Sequence, residues 1–427
     1  MFGKKIFYGW YIVAASLLII MLDGLLLYSF GVFLPYLNEE FAMTRAEGSA
    51  IFSFRALVLA PAFIIAGRMI DKFDPRAVIF GGGVIAALGM IAAGFVTQRW
   101  ELFLTYGFFV GLGDAVLYIT CVAVVSRWFV KRRAFAIGII TTGVPLSGLL
   151  ANPLTAWLIH DFGARNALII LGVLMIIVLL SSFVMRSYPK DLNLKPYGEE
   201  DEADDIASGV ESKSVSPTIS TMQNSDWTAR EALSTSTFWI MYAIYLLGFI
   251  SFLIIVTQFY NFQIDLGIAA VAAAGPPAAI GVGSIIGRTV LTSLLAEVLD
   301  YKKVILACFL AQAGSIVLLL VFKDIWVFYI FGFLFGFVYS AVVPLFPTML
   351  GKFFGLAALG TIYGVFATSY SFAGISGPIL AGYLHDVTGA YFYPFLIAVI
   401  CCCSAAVGAF FIKAPKKKVE ETLGAEV

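Results

Sequence analysis

Arg288 closes the run Gly281-Val282-Gly283-Ser284-Ile285-Ile286-Gly287-Arg288, in a stretch with no other charge. An arginine at the centre of a membrane helix costs about 2.5–3.5 kcal/mol on insertion scales, so it is expected to face a cavity or a counterion. Its planar fork of donors suits a carboxylate, which it can clamp with two parallel hydrogen bonds. The small residues Gly281, Ser284 and Gly287 leave room for such a ligand. Three more charges, Asp23, Arg55 and Asp114, stand in equally apolar stretches. Whichever aspartate Arg55 does not neutralise is the better proton carrier, and the sequence leaves open which of the two that is. Tyr118, Tyr339 and Tyr370 offer hydroxyls for a second carboxylate oxygen or a substrate hydroxyl; Leu27 and Leu146 offer an apolar wall for a methyl group. No paired carboxylates, nucleophile triad or metal-ligand cluster stands at chemistry-bearing spacing, so neither an enzyme nor a metal or other cofactor is expected. The five cysteines lie in apolar surroundings and read as structural.

These side chains must be positioned by membrane helices. The 427-residue chain is 61% hydrophobic and 13% charged, against about 45–50% and about 25% in soluble domains, which excludes a soluble enzyme. Its 27 basic residues are balanced by 27 acidic ones, so there is no overall basic excess to bind nucleic acid. Apolar runs of about 20 residues, the length that crosses a bilayer, recur near 6–34, 48–70, 77–97, 101–126, 134–158, 166–186, 237–260, 270–296, 303–322, 326–350, 357–384 and 391–412. The first of these is too long for a signal peptide and lacks a small-residue cleavage site, so it is expected to be retained. The expected fold is all-α, with twelve transmembrane helices in two six-helix halves. The halves are 1–186 and 237–412, the hydrophilic linker is 187–236 and the tail is 413–427. The linker holds an acidic cluster, Glu199 to Asp205, and then a Ser/Thr-rich stretch, with a short surface helix expected near Trp227 to Leu233. Twenty-one of the Lys and Arg residues fall on the side of the termini and linker, and only Arg45, Arg99, Arg165 and Lys323 on the other. Both termini are therefore expected in the cytoplasm, in a cell-membrane protein surrounded by lipid.

An internal repeat supports the six-plus-six division. At an offset of 225, Gly107 and Gly111 match Gly332 and Gly336, Arg127 matches Lys352, Phe129 matches Phe354, Pro153 matches Pro378, and His160-Asp161 matches His385-Asp386. Parallel repeats of this kind are the internal symmetry of transporters built around a central pathway. The repeated glycines are expected to let helices approach closely, and Pro145, Pro153 and the Gly374 to Pro378 region to bend helices that rock.

The connection after the second span, Gly67-Arg68-Met69-Ile70-Asp71-Lys72-Phe73-Asp74-Pro75-Arg76, resembles the signature loop of the major facilitator superfamily. A glycine there allows close helix contact, and an acid with basic neighbours ties helix ends together. The acid-to-base spacing of five from Asp71 to Arg76 returns in the second half from Glu297 to Lys302. Closer resemblance lies in Arg127-Trp128-Phe129-Val130-Lys131-Arg132-Arg133-Ala134-Phe135-Ala136-Ile137-Gly138, in Phe162-Gly163-Ala164-Arg165, and in Gly377-Pro378 through Gly382 and Asp386 to Thr388-Gly389-Ala390-Tyr391. These are similar to patterns of the monocarboxylate transporters and their relatives, the oxalate/formate antiporters, and the resemblance covers essentially all twelve spans.

The resemblance implies that Arg288 binds the substrate carboxylate and that Gly67, Asp71 and Arg76 form a cytoplasmic gate motif. Oxalate carriers pair the arginine with a lysine in the eleventh span; Tyr370 stands there, and one cation suits a monoanion better than a dianion. Animal monocarboxylate transporters carry a lysine in the first span and an aspartate one turn before the arginine. Tyr28 and Ser284 stand there, so the family's proton route does not carry over. The expected function is secondary transport of a short monocarboxylate such as lactate or pyruvate with a proton, by a monomeric chain. The alternative is an exchanger of organic anions of the oxalate/formate type. Anion plus proton crosses without net charge, whereas a bare monoanion moving inward against a negative-inside potential costs about 2.3 kcal/mol per 100 mV.

Overall fold

A computed structural model describes residues 7–43, 45–198, 227–273, 275–298 and 300–415. Among them it is helical, with one isolated bridge between Phe129 and Tyr197. Twelve long helical segments follow one another: α1 (Tyr8–Glu40), α2 (Arg45–Lys72), α3 (Pro75–Ala93), α4 (Arg99–Trp128), α5 (Arg133–Thr141 continued by Gly143–Phe162) and α6 (Ala164–Ser182), then α7 (Ser236–Asp265), α8 (Gly275–Val298), α9 (Tyr301–Val321), α10 (Ile325–Phe354), α11 (Leu359–Thr388) and α12 (Phe392–Phe411). Ten of the described helices are long and apolar enough to cross a membrane; α8 and α11, richer in glycine, serine and threonine, are of similar length. The acidic cluster and the Ser/Thr-rich part of the linker, the first lysines and most of the tail lie outside the described residues.

Local chemistry sets the ends of the helices. Asp74 caps α3 by accepting from the Arg76 amide at 2.8 Å, with Pro75 at the first position, where its missing N–H costs nothing. Asp300 and Asp324 cap α9 and α10 in the same way. The expected span 270–296 begins instead at Gly275, after a separate turn at Ala270–Ala273. Pro276 and Pro277 suit a helix start and would break its interior. The expected single span 134–158 is interrupted at Thr142, three residues before Pro145. Within α4, residues Phe103–Val110 are wound as a π-helix, a form often found at functional sites.

Both ends of the linker dock on equivalent places. Tyr197 donates its amide to the Trp128 carbonyl at 3.0 Å and accepts from the amides of Val130 and Lys131, with its ring against Phe7, Trp10 and Phe129. Trp227 donates its amide to the Phe354 carbonyl at 3.2 Å and packs edge-on against that ring. Phe129 and Phe354 are a pair in the 225-residue repeat. A short helix, Ala229–Leu233, follows with a Thr228/Glu231 capping box.

α2 runs along α11, and α5 along α8 and α10. Glycines make these contacts close. A methyl on Gly67 would run into the Gly360 carbonyl, and one on Gly364 into the Phe63 carbonyl. The repeated glycines make matched contacts: Gly111 lies against Arg55, and Gly336 against Ile280, residues also 225 apart. Gly67→Val is therefore expected to lose about 1–3 kcal/mol through overpacking, read as a lower unfolding temperature in detergent; an unchanged one would show that the α2–α11 approach is dispensable.

Candidate substrate and proton site

Arg288 lies in the middle of α8, facing α5. Its side chain is 7% exposed and Nη1 donates to the Thr141 carbonyl. That carbonyl is available for a reason written in the chain: four residues on, where a helix would supply the N–H, stands Pro145, which has none. The residue expected to bend α5 thus exposes the acceptor that orients Arg288. Nε of Arg288 has no hydrogen-bond partner. Among the described residues no carboxylate pairs with this guanidinium. Ser284, one turn earlier, donates to the Gly336 carbonyl at 3.3 Å, so it tethers α8 to α10 rather than facing the ligand.

Tyrosines surround the arginine. Tyr28, Tyr118, Tyr245, Tyr339 and Tyr363 all stand within electrostatic reach of it. Tyr339, expected here, has a buried hydroxyl with no partner; its ring is stacked on Phe252 at 4.0 Å and 10°. Tyr118, also expected, is paired with Tyr363. Tyr370 stands within electrostatic reach of Tyr28, Tyr118, Arg55 and Asp114, its ring edge-on to Phe249 at 5.0 Å. Leu27 and Leu146 are half-buried on α1 and α5. Sequence reading missed Tyr245 and Tyr363. Tyr363 lies seven residues before Tyr370, hence on the same face of α11, and that spacing is the signal that could have found it.

A second group of charges lies between α1, α2 and α4. Arg55 donates to Asp114 at 2.6 Å, with their side chains 1% and 15% exposed. The guanidinium also lies over the Tyr106 ring at 5.8 Å, and Tyr106, in the π-helical turn, donates to the Leu26 carbonyl at 2.9 Å. Asp23 is buried within reach of both Asp114 and Arg55, and its Oδ1 has no hydrogen-bond partner. The question the sequence left open is answered by this geometry: Arg55 belongs to Asp114, and Asp23 is the acid without a counterion of its own.

The motif expected as a gate lies where the linker-side ends of α2 and α11 meet. Asp71 accepts from the first amides of α11, Gly360 at 3.0 Å and Thr361 at 2.7 Å, so a carboxylate sits where a helix leaves its N–H groups unpaired. Its cation is Arg127 rather than Arg76. Arg127, from the end of α4, donates to Asp71 at 2.9 Å and lies over Tyr188 at 5.0 Å, while Arg76 Nε donates to the Met185 carbonyl at 3.0 Å. The chain turns at Asp74-Pro75, which sends Arg76 toward the end of α6 and away from Asp71. The side chains of Glu297 and Asp386 lie outside the described residues. His160 bonds Asp161 at 2.7 Å, and His385 stacks on Tyr391 at 4.3 Å.

Comparison with known proteins agrees with this architecture. The family model of the Major Facilitator Superfamily matches residues 16–297 and 282–427. Rat monocarboxylate transporter 13 (Rattus norvegicus) is 27% identical over 405 residues, covering 92% of this chain and 86% of its own. Rat monocarboxylate transporter 12 is 24% identical over 423 residues, covering 96% and 86%. Human monocarboxylate transporter 11 (Homo sapiens) is 32% identical over 167 residues, covering 39% and 36%. Among solved structures, the transporter FucP in the outward conformation superposes with a TM-score of 0.68 at 17% identity, covering 94% of this chain and 99% of its own. With α2 against α11, α5 against α8, and the family model matched along nearly the whole length, the chain belongs to the Major Facilitator Superfamily of membrane transporters.

Proposed function

We propose that the protein carries a short monocarboxylate of the lactate or pyruvate kind together with a proton, by alternating access of two six-helix halves, 1–186 and 237–412. Arg288 is the observation that carries this reading: a buried guanidinium with no carboxylate partner among the described residues, with five tyrosines within its electrostatic reach at the contact between the halves. A carboxylate completes its charge, and the tyrosine hydroxyls, Tyr339 first, take the remaining oxygen lone pairs or a substrate hydroxyl. Names of the similar proteins point the same way. The linker, 187–236, and both termini lie in the cytoplasm of a cell-membrane protein, by the distribution of Lys and Arg.

Charge balance supplies the coupling. Arg55 and Asp114 cancel each other, so with Asp23 ionised the empty carrier sets one anion against the Arg288 cation and is neutral within the membrane. Substrate alone adds one negative charge and a proton alone adds one positive charge; each leaves an uncompensated charge to be moved through a low-dielectric barrier. Substrate on Arg288 with a proton on Asp23 is neutral again. Only the empty and the doubly loaded forms are free of that penalty, and this selects symport.

Uptake of labelled lactate into proteoliposomes tests the reading. An inside-alkaline pH gradient is expected to drive accumulation of about tenfold per pH unit for one proton per anion. Asp23→Asn keeps the site for the anion but cannot change charge, so its uptake is expected to ignore the pH gradient. Uptake that requires an anion on the far side and is indifferent to pH in the unmodified protein would identify an exchanger instead.

A further inference from the structure

We propose that the linker-side seam between α2 and α11 is a binding site for the phosphate headgroup of an anionic phospholipid. A cavity of about 530 Å³ opens there, lined by Arg68 near the end of α2, by Thr361 and Val365 on α11, and by Arg230, Leu233 and Ser234 of the short linker helix and the turn after it. Its two arginines come from different parts of the chain and converge on one space. Among the described residues neither has a carboxylate partner: Asp71, three residues from Arg68, is taken by Arg127 and by the amides of α11, and Glu231, beside Arg230, accepts from the Thr228 amide. Two unpaired guanidiniums converging on one cavity are a phosphate-binding arrangement, because each can present a fork of donors to the phosphate oxygens.

The surroundings favour a lipid over a soluble phosphate. Most of the wall is apolar, with Leu233 and Val365 contributing to it. Trp239, one turn into α7, is 51% exposed and donates its indole N–H to the Leu233 carbonyl, which holds the short helix at the depth where tryptophan marks the headgroup region. A basic recess between membrane helices at this depth is the form taken by lipid headgroup sites. A lipid held here touches both halves and the linker helix at once, and it favours the state in which the linker-side ends of α2 and α11 are together. Because it does not use Arg288 or Asp23, the site stands whether or not the transport reading holds.

Native mass spectrometry of the purified full chain, titrated with phosphatidylglycerol and separately with phosphatidylcholine, tests the proposal. The anionic lipid is expected to bind about tenfold or more tightly than the zwitterionic one, since each basic residue near an anionic headgroup is worth about 1 kcal/mol. Arg68→Gln/Arg230→Gln is expected to abolish that preference, and Arg230→Lys to keep most of it. Both arginines are at the surface, and the Arg68→Gln/Arg230→Gln protein is expected to melt at the same temperature as the unmodified one in neutral detergent without lipid. Equal retention of phosphatidylglycerol by the unmodified and doubly substituted proteins would overturn the assignment, as it would if the chain's own acidic linker filled the cavity. Displacement of phosphatidylglycerol by millimolar inorganic phosphate would overturn the lipid part, leaving a soluble-phosphate site.

Discussion

Replacing Arg288 by glutamine is expected to lower lactate uptake by at least about 100-fold, the effect of removing one partner of a buried charge-assisted pair worth about 3 kcal/mol or more. Glutamine keeps a polar donor without the charge; its amide stops two bonds short of Nη1 and gives up the Thr141 carbonyl, but α5 and α8 stay packed at their other contacts, so the purified variant is expected to unfold near the temperature of the unmodified protein. Lysine is the more discriminating substitution. It keeps the charge and loses the fork, so it cannot hold the Thr141 carbonyl and both oxygens of a carboxylate in one plane. Intermediate uptake in Arg288→Lys, above glutamine and well below arginine, separates the need for a charge from the need for a bidentate donor. Unfolding of Arg288→Gln together with loss of uptake would instead make Arg288 a structural tie between the halves.

The second large effect is on stability and concerns Arg55. Arg55→Gln leaves Asp23 and Asp114 buried side by side with no cation, and breaking a buried pair in this way costs about 3–5 kcal/mol. Arg55→Gln/Asp114→Asn removes the Asp114 charge as well, leaving only Asp23, which can take up a proton, and is expected to recover most of the loss, since well-packed neutral replacements of buried pairs are often nearly neutral. Asp114→Asn alone is expected to be milder than Arg55→Gln, because Asp23 lies within reach of the freed guanidinium and can take over as its counterion. That rescue consumes the proton carrier, so Asp114→Asn should fold and yet lose the response to a pH gradient. Thermal unfolding of the three variants in detergent, with pH-driven uptake of Asp114→Asn, checks each step. Equal destabilisation by Arg55→Gln with and without Asp114→Asn would mean that Arg55 acts through packing against Gly111 and Tyr106 and not through charge.

Much of this was legible in the chain, and the part that was not has a common cause. Arg288, Asp23, Arg55 and Asp114 stand out because a charge in an apolar run must have a reason, and helix number follows from the length a bilayer demands. Partners are another matter. Spacing along one helix says nothing about which residue of another helix lies opposite, so Arg55 could not be assigned between two aspartates on different helices until their packing was known. The partner of Asp71 was hidden for the same reason: the turn at Asp74-Pro75 directs Arg76 to the Met185 carbonyl and leaves Asp71 to Arg127, which is fifty-six residues away in sequence. Pro145 was read as a residue that bends α5, without its consequence for the Thr141 carbonyl, because the use of that carbonyl by Arg288 is a contact between the two halves of the chain. Tyr245 and Tyr363 were hidden among 19 tyrosines; only the packing of α7 and α11 toward α8 and α10 sets them apart.

Equilibrium binding of labelled lactate to the purified protein tests the central claim most directly, because it isolates the arginine from the gating and proton steps that uptake also needs. Saturable binding is expected in the unmodified protein and in Asp23→Asn at a pH where the anion predominates, with affinity reduced at least about 100-fold in Arg288→Gln. Undiminished binding to folded Arg288→Gln would contradict the account and place the carboxylate elsewhere.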